Sequence, residues 1–147
     1  MSLKMTADEI EAFVDSKPGW VTLSTISRSG HPHSVPLGYF RDGRDLLMGV
    51  RDGTAKVRNV ERDSRASIML EHGSTMADIR GVLMQGNAVI HRAPDEVLHC
   101  MRLGATARGV PEAELPVEAR PGSVFIRFTP TKVISWDYGK LAPRAST

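Results

Sequence analysis

A polar turn followed by a short helix, with one lysine in the first turn of that helix, is the part of this sequence best suited to chemistry. Thr54 supplies a hydroxyl, Lys56 supplies an ammonium group, and an apolar strand is predicted from residue 65 onward. The start of a helix exposes unpaired N–H groups and the positive end of the helix dipole, both of which favour an anion. The segment therefore predicts a phosphate site. The plainer alternatives are that Lys56 is an ordinary surface lysine and that Thr54 is only a helix N-cap.

Glycine-containing turns divide the chain upstream of this segment into short strands. Gly30 and Gly43 each lie in a polar turn, where a positive φ is commonly required. Alternating and β-branched residues beside these turns predict strands over 20–27, 33–40 and 45–50. Tight turns join consecutive strands as antiparallel neighbours, so we predict an antiparallel meander here.

The remaining sequence predicts helices and further strands. A capping-box pattern from Thr6 to Glu9 opens a first helix. Further elements are predicted as a helix over 55–62, strands over 65–71 and 80–91, a helix from Pro94 to Gly104 or Gly109, a loop over 110–122, and closing strands over 123–128 and 131–136. This order predicts a mainly β fold, an antiparallel barrel with helices in its connections. We expect one domain over 1–147, with 138–147 a mobile tail and with Met5 leaving open a later natural start.

Composition places the chain among soluble globular proteins and disfavours several functions. Hydrophobic residues make up 41% and charged residues 24%, no apolar run approaches a transmembrane length, and no signal peptide is recognised at the start. A net charge of +2 and an aromatic content of 5% disfavour a nucleic-acid surface and favour small anions as ligands. The single cysteine, Cys100, excludes an internal disulfide, so we expect a cytoplasmic protein in which Cys100 is a small buried hydrophobe.

Two histidine-containing groups of residues are candidates for a catalytic or metal site. His31 and His33 lie two residues apart and could bind a metal or haem, but no carboxylate or third ligand accompanies them. His99 and Cys100 are neighbours on a predicted helix, where adjacent side chains point apart. We therefore predict no metal site and assign no catalytic residue.

Four motifs, in the same order along the chain, resemble those of the pyridoxamine 5′-phosphate oxidase-like flavin proteins, the split-barrel family. The best of them combines a hydroxyl residue, a lysine and a D/N-x-R pattern before an apolar strand. The four segments are 30–37, Thr54 to Arg65, 81–88 and Pro130 to Trp136. The resemblance covers about residues 20–136, most of the chain.

The resemblance implies a split β-barrel that forms a homodimer, with FMN or the deazaflavin F420 bound at the subunit interface. Thr54 and Lys56 would hold the cofactor phosphate, assisted by Arg51 or Arg58. Trp136 would close the site from the partner subunit, although it could also be a core or interface anchor. The backbone that would line the flavin ring comprises Ser34, Val35, Pro36, Leu37, Gly49 and Val50. Pro36 independently indicates an edge strand or a bulge, because proline removes a backbone donor.

Departures from the family separate this chain from the vitamin B6 oxidase itself. Ala55 stands where the oxidase has Arg, Gly81 stands where it has Gln, and residues 137–147 lack its substrate-phosphate segment. We therefore predict an FMN- or F420-dependent oxidoreductase that transfers hydride to a small organic acceptor, rather than a pyridoxamine 5′-phosphate oxidase. The alternative on the same fold is a non-catalytic carrier or sensor of FMN or haem, which would bind its cofactor without turnover.

Overall fold

The computed structural model describes residues 2–141 as one seven-stranded sheet with three α-helices. In chain order the elements are α1 (Ala7–Asp15), β1 (Val21–Ile26), β2 (Pro32–Leu37), β3 (Phe40–Asp42), β4 (Asp45–Arg51), α2 (Ala55–Arg62), β5 (Arg65–His72), β6 (Arg80–His91), α3 (Pro94–Ala107) and β7 (Ser123–Asp137). Short 3-10 turns span Glu112–Glu114 and Tyr138–Leu141. The predicted tail 138–147 thus begins as a helical turn, and its remainder, 142–147, lies outside the described residues.

The strands form a single antiparallel sheet in the order β2-β1-β5-β6-β7-β4-β3. The predicted mainly β antiparallel fold in one domain is confirmed, since the sheet is continuous. Helices α2 and α3 lie in its connections, and α1 precedes the first strand. None of the helices described is long and apolar enough to cross a membrane.

The predicted meander is wrong. β1 pairs with β2, but β3 and β4 form a hairpin at the opposite edge of the sheet, next to β7. The predicted strand over 33–40 is divided between β2 and β3, because the chain turns away from β2 at Tyr39. The Tyr39 side chain is buried, and its hydroxyl donates a hydrogen bond to the Val14 carbonyl at 2.5 Å. This anchor to the end of α1 carries the chain from β2 across to β3.

The main core lies on the inner face of the curved sheet and is closed at one end by α1. Period-2 alternation directs every second strand residue inward. The fully buried members on the strands include Val21, Leu23, Leu46, Met48, Ile68, Leu70, Val82, Ile126 and Phe128. Phe13 and Val14 of α1 pack against this core. The predicted capping box is confirmed, because Thr6 and Glu9 each accept a hydrogen bond from the other's N–H at 3.1 Å.

Helices α2 and α3 occupy the predicted segments, and α3 continues through Gly104 to Ala107. A Cβ at position 104 would come within 2.9 Å of the Phe40 ring. Gly104 therefore permits close helix–strand packing instead of ending the helix. The end comes before Gly109, whose φ of +84° suits a helix terminus.

The two predicted closing strands are one continuous strand, β7, with a bulge. The register passes from Gln85 opposite Lys132 to Gly86 opposite Pro130, so Thr131 is the extra residue. Pro130 is tolerated within the strand at this irregular place. A Cβ on Gly86 would lie 2.1 Å from the carbonyl oxygen of Thr129, so only glycine allows the two backbones to approach this closely.

The outer side of the sheet is half covered. Leu47 of β4 and Phe125 of β7 pack against Val97 and Cys100 of α3. Among residues 2–141, no helix covers the outward side of β2, β1, β5, β6 and the second half of β7, and we call this side the bare face. One cross-strand row on it is polar and the next is mostly apolar. The polar row consists of Ser34, Ser24, Ser67, Gln85 and Lys132. The mostly apolar row consists of Pro36, Thr22, Met69, Leu83 and Ile134.

Replacing Gly86 by alanine should destabilise the fold by about 1–3 kcal/mol, since the added methyl group would overlap the Thr129 carbonyl. The measurement is the urea concentration at the midpoint of unfolding. Gly19→Ala is the matched control, because a Cβ at position 19 would meet no atom within 4 Å. Equal midpoints for the two variants would show that the bulge does not depend on glycine.

Candidate cofactor site

The start of α2 is an uncapped helix end. Thr54 has the same extended N-cap backbone as Thr6 before α1. The Thr6 hydroxyl accepts a hydrogen bond from the Glu9 N–H, whereas the Thr54 hydroxyl donates to the Arg51 carbonyl at 3.0 Å. Within the described chain, the N–H groups of residues 55–57 have no acceptor. Three donors at the positive end of a helix dipole therefore remain available to an anion.

Lys56 adds a cation at this end of α2. Its side chain is half-buried, and no carboxylate among residues 2–141 lies within ion-pair distance of it. Asp52 before the helix and Glu61 near its end are both bound by Arg92. The hydrogen bond from Arg92 lowers the pKa of Asp52, so this carboxylate stays ionised and paired. Arg58, also predicted at the phosphate, is exposed on α2.

A cavity of about 1070 Å³ is lined, on the β4 side, by residues up to Asp52, two positions before Thr54. Thr54, Lys56 and Arg58 are not among the residues that line it. Gly49, Val50 and Arg51 of β4 line one wall, and α3 with the loop 108–122 forms another. Ligand cavities commonly measure about 300–1,000 Å³. Arg51 lines the cavity and its carbonyl accepts the Thr54 hydroxyl, so the cavity wall and the start of α2 are neighbours along the chain. The predicted ring-lining residues of β4 thus border a cavity of suitable size, next to the predicted phosphate residues.

The predicted segment Ser34–Leu37 lies on the free edge of the sheet, in β2. Val35 and Leu37 are half-buried against the core, while Ser34 and Pro36 point to the bare face. Pro36 has no N–H and pairs with Thr22 at a non-hydrogen-bonded position, so the Ser34 backbone groups also point away from β1. These four residues do not line the cavity, but Gly38, which follows directly, does. The edge-strand interpretation of Pro36 is confirmed.

Trp136 lies far along β7 from the other predicted residues. Arg51 pairs with Ser123 at the first end of β7, and Trp136 is near the last. At about 3.3 Å per residue, roughly 40 Å of strand separates them. Trp136 is half-buried on the bare face over Gly81, where a Cβ would meet its ring at 2.5 Å. One chain therefore does not bring Trp136 to its own cavity.

A charged cluster behind the cavity was not recognised in the sequence. Arg127 donates hydrogen bonds of 2.9 Å to Asp42, Asp45 and His91. Arg127 approaches the imidazole at Nε2, and Nδ1 of His91 lies 2.9 Å from a carboxylate oxygen of Glu96. The cluster fastens the β3–β4 hairpin and the start of α3 to β7. Its signal in the sequence is an arginine between Ile126 and Phe128, within the apolar first half of β7.

Cys100, His31 and His33 lie in surroundings typical of residues with a structural role. Cys100 is buried at the base of the cavity, and burial raises the pKa of its thiol, so its predicted burial is confirmed. His31 precedes β2, and His33 is half-buried with Nδ1 lacking a hydrogen-bond partner. Among the residues that the structure describes, no group of three or more His, Cys, Asp or Glu side chains could hold a metal ion.

A family model described as pyridoxamine 5′-phosphate oxidase matches residues 6–137 of this chain. The chain belongs to this family. The match runs from the N-cap of α1 to the end of β7, so it includes the sheet, the start of α2 and the cavity walls. The resemblance identified from the four motifs is confirmed. No curated protein sequence matches the chain at a significant level.

Solved structures share the fold. Rv2991, a conserved hypothetical protein of Mycobacterium tuberculosis, has a TM-score of 0.80 at 26% identity, covering 99% of this chain and 93% of that chain. A structure named F420 reductase has a TM-score of 0.63 at 19% identity over 84% and 94% of the two chains. HutZ, a haem storage protein of Vibrio cholerae, has a TM-score of 0.65 at 15% identity over 95% and 99%. The last two likenesses show the fold alone.

The stability of this site region should depend on alkaline pH through Tyr39, at the rim of the cavity. Burial raises the pKa of Tyr39 to about 12. The unfolded chain ionises this group near its ordinary pKa of about 10, while the folded chain keeps the proton. The Tyr39 contribution is therefore complete below about pH 10 and is lost as the pH rises toward about 12.

Thermal unfolding of the wild type and of Tyr39→Phe, followed between about pH 9 and about pH 12, measures this effect. The wild type should lose more stability than the variant over that interval, by up to about 2 kcal/mol. Parallel curves for the two proteins would contradict the prediction, because the other titrating groups are common to both.

Proposed function

We propose that this protein is an FMN- or F420-dependent oxidoreductase that transfers hydride to a small organic acceptor. The observation that carries the proposal is the uncapped start of α2, where Lys56 has no ion-pair partner among residues 2–141 and which follows closely on the cavity-lining residues Arg51 and Asp52. Family membership supports it, because the match includes this segment. Among the structural neighbours, a named F420 reductase has the same fold.

The residues present suit a phosphorylated flat cofactor. The N–H groups of residues 55–57 and the Lys56 ammonium would hold its phosphate, with Arg51 at the junction with the cavity. The ring would lie against the glycine-containing wall at Gly49 and Val50. When bound, the cofactor supplies the hydride chemistry. The chain's own residues bind and orient it, and the apolar base of the cavity excludes water.

We further propose that the active form is a homodimer. The apolar row on the bare face includes Ile134, which is 39% exposed, and Trp136 lies on the same face. A second copy seated on this face would bury that row and could bring the partner's Trp136 to a cavity that Trp136 of the same chain does not reach. The cytoplasm is the proposed compartment, because a single cysteine suits a reducing environment.

The proposed activity is tested by titrating the purified protein with FMN and F420 separately, then reducing the complex and adding acceptors. The expected result is saturable binding of one cofactor and reoxidation that depends on the acceptor. A bound, reduced cofactor that no acceptor reoxidises would assign the protein to the carriers instead. Absence of binding for both would overturn the cofactor site.

Lys56→Ala should weaken binding of the cofactor by about tenfold to hundredfold, the range of one charge-assisted hydrogen bond. The fold should persist, because Lys56 forms no ion pair or side-chain hydrogen bond with residues 2–141. Dissociation constants come from fluorescence titration, with Lys4→Ala as the control, since Lys4 is an exposed lysine near the N-terminus. Unchanged affinity in Lys56→Ala would remove the phosphate assignment.

Ile134→Asp should raise the dimer dissociation constant by at least about a hundredfold, because it would bury a carboxylate in an apolar interface. Sedimentation velocity over a concentration series is the measurement. Val117→Asp is the matched control, since Val117 is 79% exposed in the loop on the α3 side. A dimer that is equally stable in both variants would exclude the bare face as the interface.

A further inference from the structure

Four cations border the cavity without a carboxylate partner. Lys17, Arg51, Arg108 and Arg120 all line it, and none forms an ion pair within residues 2–141. Two acids also line the cavity. Asp52 is neutralised by Arg92, which leaves Glu114 as the one lining carboxylate without a cation. The cavity therefore has a marked excess of positive charge, in a protein whose net charge is only +2.

Backbone contacts fix the positions from which these exposed side chains extend. The Arg51 carbonyl accepts from Thr54, and the Arg108 N–H donates to the last turn of α3. The Arg120 carbonyl accepts from Ser123 at 3.2 Å. Lys17 has a φ of +48°, the only positive φ of a non-glycine residue among those described, and its Nζ lies 5.8 Å from the Tyr39 ring centroid. A strained backbone is retained where the surroundings over-determine it. The four side chains that carry these charges therefore begin at fixed backbone positions around one opening.

The base of the cavity is apolar and aromatic. Phe40 and Phe125 meet edge to face with centroids 6.0 Å apart. Gly49 brings backbone close to the Phe125 ring, where a Cβ would lie 3.2 Å from it, and Gly104 does the same for Phe40. Cys100 and Met101 of α3 complete this base. Flat aromatic surface below and cations above complement a molecule with an apolar body and an anionic group.

We propose that this cavity binds an organic anion with a ring-sized apolar body, and that such an anion is the acceptor substrate. The second part rests on the proposed function. In that role the acceptor gains a C–H bond from a hydride released by the reduced cofactor, which loses two electrons, and takes one proton from water. The carboxylate, sulfonate or phosphate of the acceptor would pair with Arg108 and Arg120, on the loop side opposite Arg51 and the start of α2.

The test uses the protein without added cofactor and two fluorescent probes. Anilinonaphthalene sulfonate has an aromatic body with one negative charge, and phenylnaphthylamine has nearly the same body without it. The sulfonate should bind the wild type more tightly than the neutral amine. The double variant Arg108→Gln with Arg120→Gln should weaken the sulfonate by about tenfold and leave the amine unchanged. Arg28→Gln, in the exposed turn between β1 and β2, is the control for general loss of charge.

A second arm repeats the sulfonate titration with saturating FMN or F420, whichever binds. Retained sulfonate binding supports a separate acceptor site. Displacement of the sulfonate by the cofactor would overturn the acceptor assignment, since the anion would then occupy the cofactor's own place. Equal affinities for the two probes, or an unaffected double variant, would overturn the anion cavity itself. If neither cofactor binds, the proposed function fails while the first arm still decides whether the cavity selects anions.

Discussion

The close approach of Gly86 to the Thr129 carbonyl is the constraint on which the rest of the structure depends. It permits the bulge that keeps β7 paired with β6 along its full length. The first half of β7 also pairs with β4 and lies under α3, where the cavity forms. The second half extends past β4 and presents the bare face. A larger residue at position 86 would separate the two backbones at the junction between these halves.

The charged side chains form two kinds of region: clusters in which acids are ion-paired, and regions in which cations have no carboxylate partner among residues 2–141. Arg127 binds the carboxylates of Asp42 and Asp45 behind the cavity, and Arg92 binds Asp52 and Glu61 around α2. These acids are the ones closest in sequence to the predicted site, and their pairing prevents them from competing for the cations there. The start of α2 and the cavity consequently keep an excess of positive charge, because their cations form no ion pair with a carboxylate among residues 2–141. Such a region attracts anionic ligands, because their negative charge interacts favourably with the unpaired positive charge.

Local features were predictable from the sequence, and long-range pairing was not. The limits of α2 follow from neighbouring residues, and the capping box at Thr6 is a contact between residues three positions apart. The meander failed because the position of β3 and β4 is decided by Tyr39 reaching Val14, a contact that no local pattern encodes. The cavity has the same origin, since β4 and α3 are distant in sequence. Family motifs identified the fold because they record such pairings indirectly.

The geometry of β7 decides what a single copy of this chain can do. Its first end carries the cavity wall through Ser123, and its far end carries Trp136. The length of β7 keeps these ends apart, so in the proposed dimer the Trp136 side chain that approaches a cavity belongs to the other copy. The bare face lies at that far end, where the apolar row with Ile134 would seat a second copy. In the proposed dimer, a single association step would both bring Trp136 of the other copy to the cavity and cover the bare face. Cofactor binding and dimer formation would therefore be coupled by mass action.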